Sequence, residues 1–252
     1  MSEWTWEPDD FAALWLRDGM DRFPRPLRYL SRFKTRTPFE SHAAQVRARY
    51  DRDEHETIRL ALHTLTAAQL RIEVLGGSTA TRRGRVREYR IVGGRTAHHA
   101  VVLAQSAVDG VDGSVHVRLL PAESLATRLA TLLPPCDPGR EPATTVHSAE
   151  LSAGAGHASA RRSPRENYER IAGRPADGGG NAGLLVGSVL SRPAPWFQAQ
   201  WYDIAGDGRY LETRTREHVA VRPATARDIA GCYAGWIERA LDRIGDDARR
   251  SR

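Results

Sequence analysis

Few residues in this chain are typed and spaced for chemistry. His55-Glu56 opens like the zinc-binding HExxH helix, in which two histidines four residues apart share one face and the glutamate between them serves as general base. Position 59 is Arg59, so the second ligand is missing and no metal is expected. His98-His99 is a second candidate pair, but neighbours on a strand point to opposite faces, and two such rings do not chelate one ion. Asp203 is a candidate catalytic carboxylate and Cys232 a candidate nucleophile. The first falls near the end of a strand before a turn, the second inside an apolar helical stretch where thiols pack. Cys136 and Cys232 lie far apart without a CxxC partner, which predicts reduced thiols and argues against zinc or a disulfide. The sequence holds no Walker A loop, no GxGxxG after a strand and no GxSxG; glycines 178–180 read as part of a polar loop. The expectation is a non-enzymatic protein without cofactor or metal.

The residues that stand apart are aromatic. Trp196, Phe197, Trp201, Tyr202 and Tyr210 crowd one expected hairpin, and Tyr233 and Trp236 lie on the closing helix. Strand alternation puts Trp196 and Tyr202 on one face and Phe197 and Trp201 on the other, so one face can fill a core while the other meets a partner.

Composition bounds the class. At 252 residues, 40% hydrophobic and 27% charged, the chain can bury a substantial core and has the balance of a soluble globular protein. There is no apolar run of about 18 residues, so no membrane span is expected. The acidic start MSEWTWEPDD lacks the basic and apolar regions of a secretory signal, and a cytoplasmic location is the expectation. Net charge is +6, and Lys34 is the one lysine among 37 basic residues. An Arg-rich nucleic-acid-binding protein is therefore the alternative reading, although the arginines alternate with acids in RVREYR and LETRTRE and form no block.

The elements that must position these residues follow from periodicity. WEPDDFAALWLRDG spaces Phe11, Leu14 and Trp15 as a helix ending at Gly19, and FPRPLRYL is extended. Thr37-Pro38-Phe39-Glu40 has the form of a capping box, with Phe39, Ala43, Val46 and Tyr50 as the stripe behind it; Asp53 and Glu56 start a second helix with Ile58, Leu62 and Leu65 on one face. Four strands follow, RIEVL, RVREYRIV, AHHAVVLAQSAV and SVHVRLL, joined by Gly76-Gly77, Gly93-Gly94 and Asp109-Gly110 as tight turns. The apolar run from Ala100 to Ala104 suits a central strand covered on both faces. Pro121 opens a helix that stops before Pro134-Pro135. From Cys136 to about Gly183 the sequence reads as a loop with one helical candidate, SPRENYERIAG. Four further strands, GLLVGSVL, WFQAQWYDIA, GRYLETRT and HVAVR, lead into ARDIAGCYAGWIERAL, a helix.

Two stretches superpose at a single offset: His116-Val117-Arg118-Leu119-Leu120-Pro121-Ala122 and His218-Val219-Ala220-Val221-Arg222-Pro223-Ala224. The helices behind them share an apolar phase, Leu125, Leu129, Leu132 and Leu133 against Ile229, Tyr233, Trp236 and Ile237. This predicts a single α/β (α+β) domain over 1–252 built from two pseudo-symmetric halves, about 1–134 and 183–245, joined by a flexible Gly/Ala/Ser-rich segment of about 135–182.

VRLLPAESLATRLATLLPP, then WFQAQWYDIAGDGRYLETRTREHVAVRPATARDIAGCYAGWI, and the opening FAALWLRDG, PRPLRYL and TPFESHAAQV together resemble the EspG family of type VII (ESX) secretion-associated chaperones of actinobacteria. The resemblance implies a quasi-two-fold fold with a central, mostly antiparallel β-sheet flanked by helices. It also implies a cytosolic, non-enzymatic chaperone that binds the helical tip of a PPE protein paired with a PE protein, keeps it soluble and helps direct it to export. The Gly/Ala/Ser-rich middle and the arginine bias depart from the familiar mycobacterial members, which makes a WXG100-like helical hairpin a second candidate client; a homodimer is the other partner considered. The partner-binding residues expected are Trp196, Tyr202 and Trp236, with Arg82, Arg83 and Arg85 of a hairpin loop as a polar rim.

Overall fold

The computed structural model describes residues 2–16, 20, 22–79, 85–152 and 163–250. Its first part comprises strand β1 (Ser2–Trp6), helices α1 (Pro8–Trp15), α2 (Arg36–Arg47) and α3 (Arg52–Thr66), strands β2 (Leu70–Ser78), β3 (Arg87–Arg95), β4 (His99–Val108) and β5 (Val111–Pro121), and helix α4 (Leu125–Thr131). The second comprises β6 (Thr144–His147), α5 (Ser148–Ser152), α6 (Pro164–Ala172), β7 (Ala176–Val186), β8 (Phe197–Ile204), β9 (Gly208–Arg214), β10 (His218–Pro223) and α7 (Ala226–Arg250). The order strand, helices, four-strand meander, helix therefore occurs twice. All ten strands join one antiparallel sheet. Outward from the β2–β7 seam it reads 2-3-4-5-1 on one side and 7-8-9-10-6 on the other, a quasi-two-fold arrangement.

That symmetry places α4 and α7 on the same face, where they touch each other and seal the sheet. The shared apolar phase does this work: Leu125, Leu129 and Leu133 of the α4 region and Ile229, Tyr233, Trp236 and Ile237 of α7 are all buried over Leu70, Ile72, Val74 and Leu184. On the opposite face α1 and α3 bury Phe11, Trp15, Ile58, Leu62 and Leu65 against Val101, Leu103, Val115 and Val117. The run 100–103 is buried on both sides, as a central strand requires.

The structure corrects several local readings. Within the segment read as a flexible linker, β6, α5 and the start of β7 join the expected helix of SPRENYERIAG, which is α6, while 153–162 falls outside the described residues. Asp109-Gly110 is a true tight turn, with φ of 51° and 80° linking Val108 to its partner Val111. Gly76-Gly77 and Gly93-Gly94 sit inside β2 and β3 instead of at turns. Helix α2 starts earlier than its expected cap, from Thr35, and α3 is capped by Asp51, whose side chain accepts the Glu54 amide at 2.9 Å. The strand β1 was not anticipated; it forms because Ser2–Trp6 alternates and finds the free edge of β5. Gly19, the expected end of the first helix, lies outside the described residues.

The glycines at the seam have a shared reason. Cross-strand register aligns Tyr89, Gly76, Gly180 and Trp201 in one row across β3, β2, β7 and β8. A Cβ on Gly76 would lie 2.2 Å from the Tyr89 hydroxyl oxygen, and one on Gly180 would lie 2.5 Å from both Trp201 Cζ2 and the Leu75 carbonyl. Each aromatic ring thus occupies the space that a side chain on the neighbouring strand would need, and the Tyr89 hydroxyl donates to the Gly179 carbonyl at 3.0 Å.

Helix α7 begins with a reciprocal cap. The Asp228 amide donates to the Thr225 hydroxyl at 3.2 Å, and the Thr225 amide and hydroxyl donate to the Asp228 carboxylate at 2.9 and 2.6 Å. Thr225→Ala should lower Tm by about 2–4 °C in a thermal melt, from a cap worth about 1 kcal/mol. The Thr225 hydrogen bonds, followed by Arg222, hold the Asp228 carboxyl at about 2, below the ordinary carboxylate range. A lowered folded-state value stabilises fully above the unfolded value of about 4 and is lost as pH falls through the folded one. The stability gap between the wild type and Asp228→Asn should be constant near neutrality and close between about pH 4 and pH 2; a gap unchanged across that window would refute this role for the cap.

Candidate functional site: a groove on the open sheet face

The two copies differ in what they lay over the face opposite α4 and α7. In the first, α1–α3 cover β3–β5; in the second, α6 reaches only the far end, with Ile171 packed on Ile204, Tyr210 and Val221. Between these covers the sheet carries a groove over β2, β7, β8 and β9, about 520 Å³ in volume, lined by residues that include Glu73, Leu75, Asn181, Gln198, Gln200 and Arg214. It continues into a second hollow of about 450 Å³ bordered by Phe23, Pro24, Leu185 and residues 189–193. The groove crosses the seam between the two copies.

Period-2 alternation builds its floor. Ile72 and Val74 point into the core under α7, so Arg71, Glu73 and Leu75 point into the groove; Ala199 and Trp201 do the same for Gln198 and Gln200. Leu75 is 42% exposed, an apolar side chain open to solvent in a strand that is otherwise well buried. Two buried charges stiffen the floor. Arg71, 2% exposed, donates to Glu73 at 2.8 Å and to the carbonyls of Gly187, Ser188 and Ser191 at 3.0, 2.7 and 3.0 Å, which fixes the 187–191 loop as a wall. Glu212, fully buried, accepts from the Tyr168 and Tyr202 hydroxyls at 3.0 and 2.9 Å, from Gln200 at 2.6 Å and from Arg214 at 2.6 Å. Burial first, and then the Glu212 charge, push the Tyr168 and Tyr202 phenols up, so both remain hydrogen-bond donors.

Of the residues expected from sequence, Tyr202 stands at the α6 end of this face in the Glu212 network. Trp236 is 4% exposed and stacks on Phe197 with ring centroids 6.1 Å apart, a core position. Trp196 and Phe197 do not alternate as expected. Both pack on the α7 side, with the Arg243 guanidinium 4.3 Å from the Trp196 ring and that of Arg239 4.9 Å from Phe197, because Trp196 precedes the first residue of β8. Arg85 is exposed and pairs with Asp109 at the β4–β5 turn, Nε to Oδ2 2.6 Å. Arg82 and Arg83 lie outside the described residues. The three aromatics are thus not brought together. The groove residues were missed, although alternation in LRIEVL and FQAQW carries their signal.

The residues weighed for catalysis take structural roles. Asp203 is buried against Arg209 with two hydrogen bonds of 2.6 and 2.7 Å. Burial pushes the Cys136 thiol up to about 11 and raises Cys232 as well, the opposite of nucleophile activation. His55 Nε2 lies 3.0 Å from the Arg47 carbonyl, and His98 and His99 are exposed at the β3–β4 turn. Among the described residues no group of three or more His, Cys, Asp or Glu side chains could hold a metal, and no helix is long and apolar enough to cross a membrane.

The fold has a solved counterpart. The Mycobacterium tuberculosis type VII secretion system chaperone EspG5, solved in complex with a PE25-PPE41 dimer, is 14% identical, with a TM-score of 0.53 over 91% of this chain and 93% of that one. At that identity the likeness is one of fold. No curated protein sequence matches the chain. The model of the EspG family matches residues 7–232, from just after β1 to well within α7, and the chain belongs to the EspG family.

Proposed function

We propose that this protein is a type VII secretion chaperone that covers the helical tip of a PE/PPE-like client, keeps it soluble in the cytoplasm and presents it for export. The observation that carries this reading is the groove across the seam, in a chain that belongs to the EspG family over residues 7–232. The tip of a helical hairpin exposes apolar side chains until something covers them, and a shallow groove with an apolar anchor and fixed polar groups suits that task without a catalytic centre. Leu75 is the anchor, with Gln198, Gln200 and Arg214 around it. Tyr202 at the end of the groove is a proposed contact, and Arg82, Arg83 and Arg85 remain proposed as a polar rim, Arg82 and Arg83 outside the described residues and Arg85 paired with Asp109 at the β4–β5 turn; Trp236 acts from the core by holding α7 in place. A WXG100-like hairpin is the second client class.

The test is co-expression with a PE/PPE-like pair encoded in the same genome. The wild type should raise the soluble yield of the pair and co-elute with it. Leu75→Arg should reduce co-purification at least tenfold with an unchanged melting temperature, because the position is exposed at the groove floor. An unimpaired Leu75→Arg complex would remove the groove from the interface. The arginines give the nucleic-acid alternative little support: Arg71, Arg90, Arg170, Arg174, Arg209 and Arg214 are each paired with a carboxylate. Binding to nucleic acid with a steep salt dependence would favour it instead.

A further inference from the structure

The hollow beside Phe23 and Pro24 differs in charge from the rest of the groove. At the β9 end, the buried Glu212 is answered by Arg214. In the hollow, Arg25 and Arg192 are exposed at the rim and have no ion-pair partner among the described residues. Glu73 is the one acidic residue among those lining it, and Arg71 already holds it at 2.8 Å. The same hollow carries an apolar patch, with Leu190 54% exposed beside Leu185 and Val189. The loop bearing Leu190 is pinned through the Arg71 hydrogen bonds to its carbonyls, so the apolar seat is preorganised.

We propose that this hollow selects clients whose helical tip carries an apolar side chain flanked by Asp or Glu, the apolar group seating on Leu190 and the carboxylates pairing with Arg25 and Arg192. This rests on the groove reading above and adds the chemistry of the client. The argument is charge complementarity. Two cations unanswered among the described residues, beside an apolar seat, favour an acidic amphipathic tip and repel a basic one. Rim charges of this kind set specificity and association rate more than total affinity.

The probes are two synthetic helical-hairpin peptides, identical but for a tip Leu flanked by Glu in one and by Lys in the other, titrated into the full chain by fluorescence anisotropy. The Glu-flanked peptide should bind roughly tenfold more tightly at low salt, with the advantage shrinking as salt rises. In Arg25→Glu/Arg192→Glu the preference should reverse, with an unchanged thermal melt since both positions are exposed. Equal binding of the two peptides by the wild type overturns the acidic-flank inference and leaves the groove reading standing. Binding of neither peptide counts against the groove reading and takes the inference with it. Loss of peptide binding as protein concentration rises would give the hollow to a second copy of the chain and overturn the inference too.

Discussion

Arg209→Ala should lose about 3–5 kcal/mol of folding stability, the largest effect expected of any single polar substitution in this chain. Arg209 and Asp203 are both buried, and the guanidinium meets the carboxylate through two parallel hydrogen bonds. The same side chain donates to the Pro134 carbonyl at 2.9 Å, and its backbone exchanges hydrogen bonds with Asp137 and Gly139 at 2.7 and 3.0 Å. Arg209 therefore clamps the segment that runs from the first copy of the fold to the second. Removing the side chain leaves the Asp203 charge buried without its counter-ion and frees the Pro134 carbonyl, while the backbone bonds to Asp137 and Gly139 remain. Urea denaturation monitored by tryptophan fluorescence measures the loss. The double variant Asp203→Leu/Arg209→Met should recover much of it, because two apolar groups leave no uncompensated charge. A loss in Arg209→Ala below about 1 kcal/mol, the range of exposed pairs, would show that the pair is not clamping anything.

Gly180→Val should cost about 3 kcal/mol, at the upper end of the usual range for overpacking. The obstacle on one side is the Leu75 carbonyl, which belongs to the β2–β7 ladder and cannot step aside as a side chain would; on the other is the buried ring of Trp201. Accommodating the new side chain means either opening the seam or expelling Trp201 from under α7. Both changes also tilt the groove floor, so client co-purification should fall together with stability. Gly231→Ala is the control: a Cβ there meets nothing within 4 Å, and in the second turn of α7 the change should be neutral or stabilising by about 0.5–1 kcal/mol. Equal effects of the two substitutions would mean that close approach at the seam is not what keeps Gly180 a glycine.

The contrast between these glycines shows how far the sequence can be read. Periodicity is a local signal, and where it is strong it placed the elements well: eight of the strands were recognisable from alternation or apolar runs, and the phase shared by Leu125, Leu129, Leu133 and Ile229, Tyr233, Ile237 marked a closing helix in each half, which the structure sets side by side on one face. The matched His-to-Ala stretches pointed to the duplication that the strand order displays. Local signals failed where glycine is ambiguous. Lacking a Cβ, it serves a turn and a crowded strand equally well, and glycines 178–180 looked like a loop because Asp203, Trp201 and Leu75, which crowd them, lie on the neighbouring strands and not beside them in the chain.

The aromatics obey the same logic. Trp196, Tyr202 and Trp236 stood out by residue type, but burial is decided by what packs on top, and α7 claimed Trp196 and Trp236 for its own side of the sheet. Alternation in LRIEVL and FQAQW determined which side chains share a face. It was tertiary structure that decided whether that face was covered: three helices lie over one copy, one helix reaches the far edge of the other, and the strip they leave open is where Leu75 meets solvent. A chain specifies its faces residue by residue, whereas a groove is the space between elements and exists only once they have been placed.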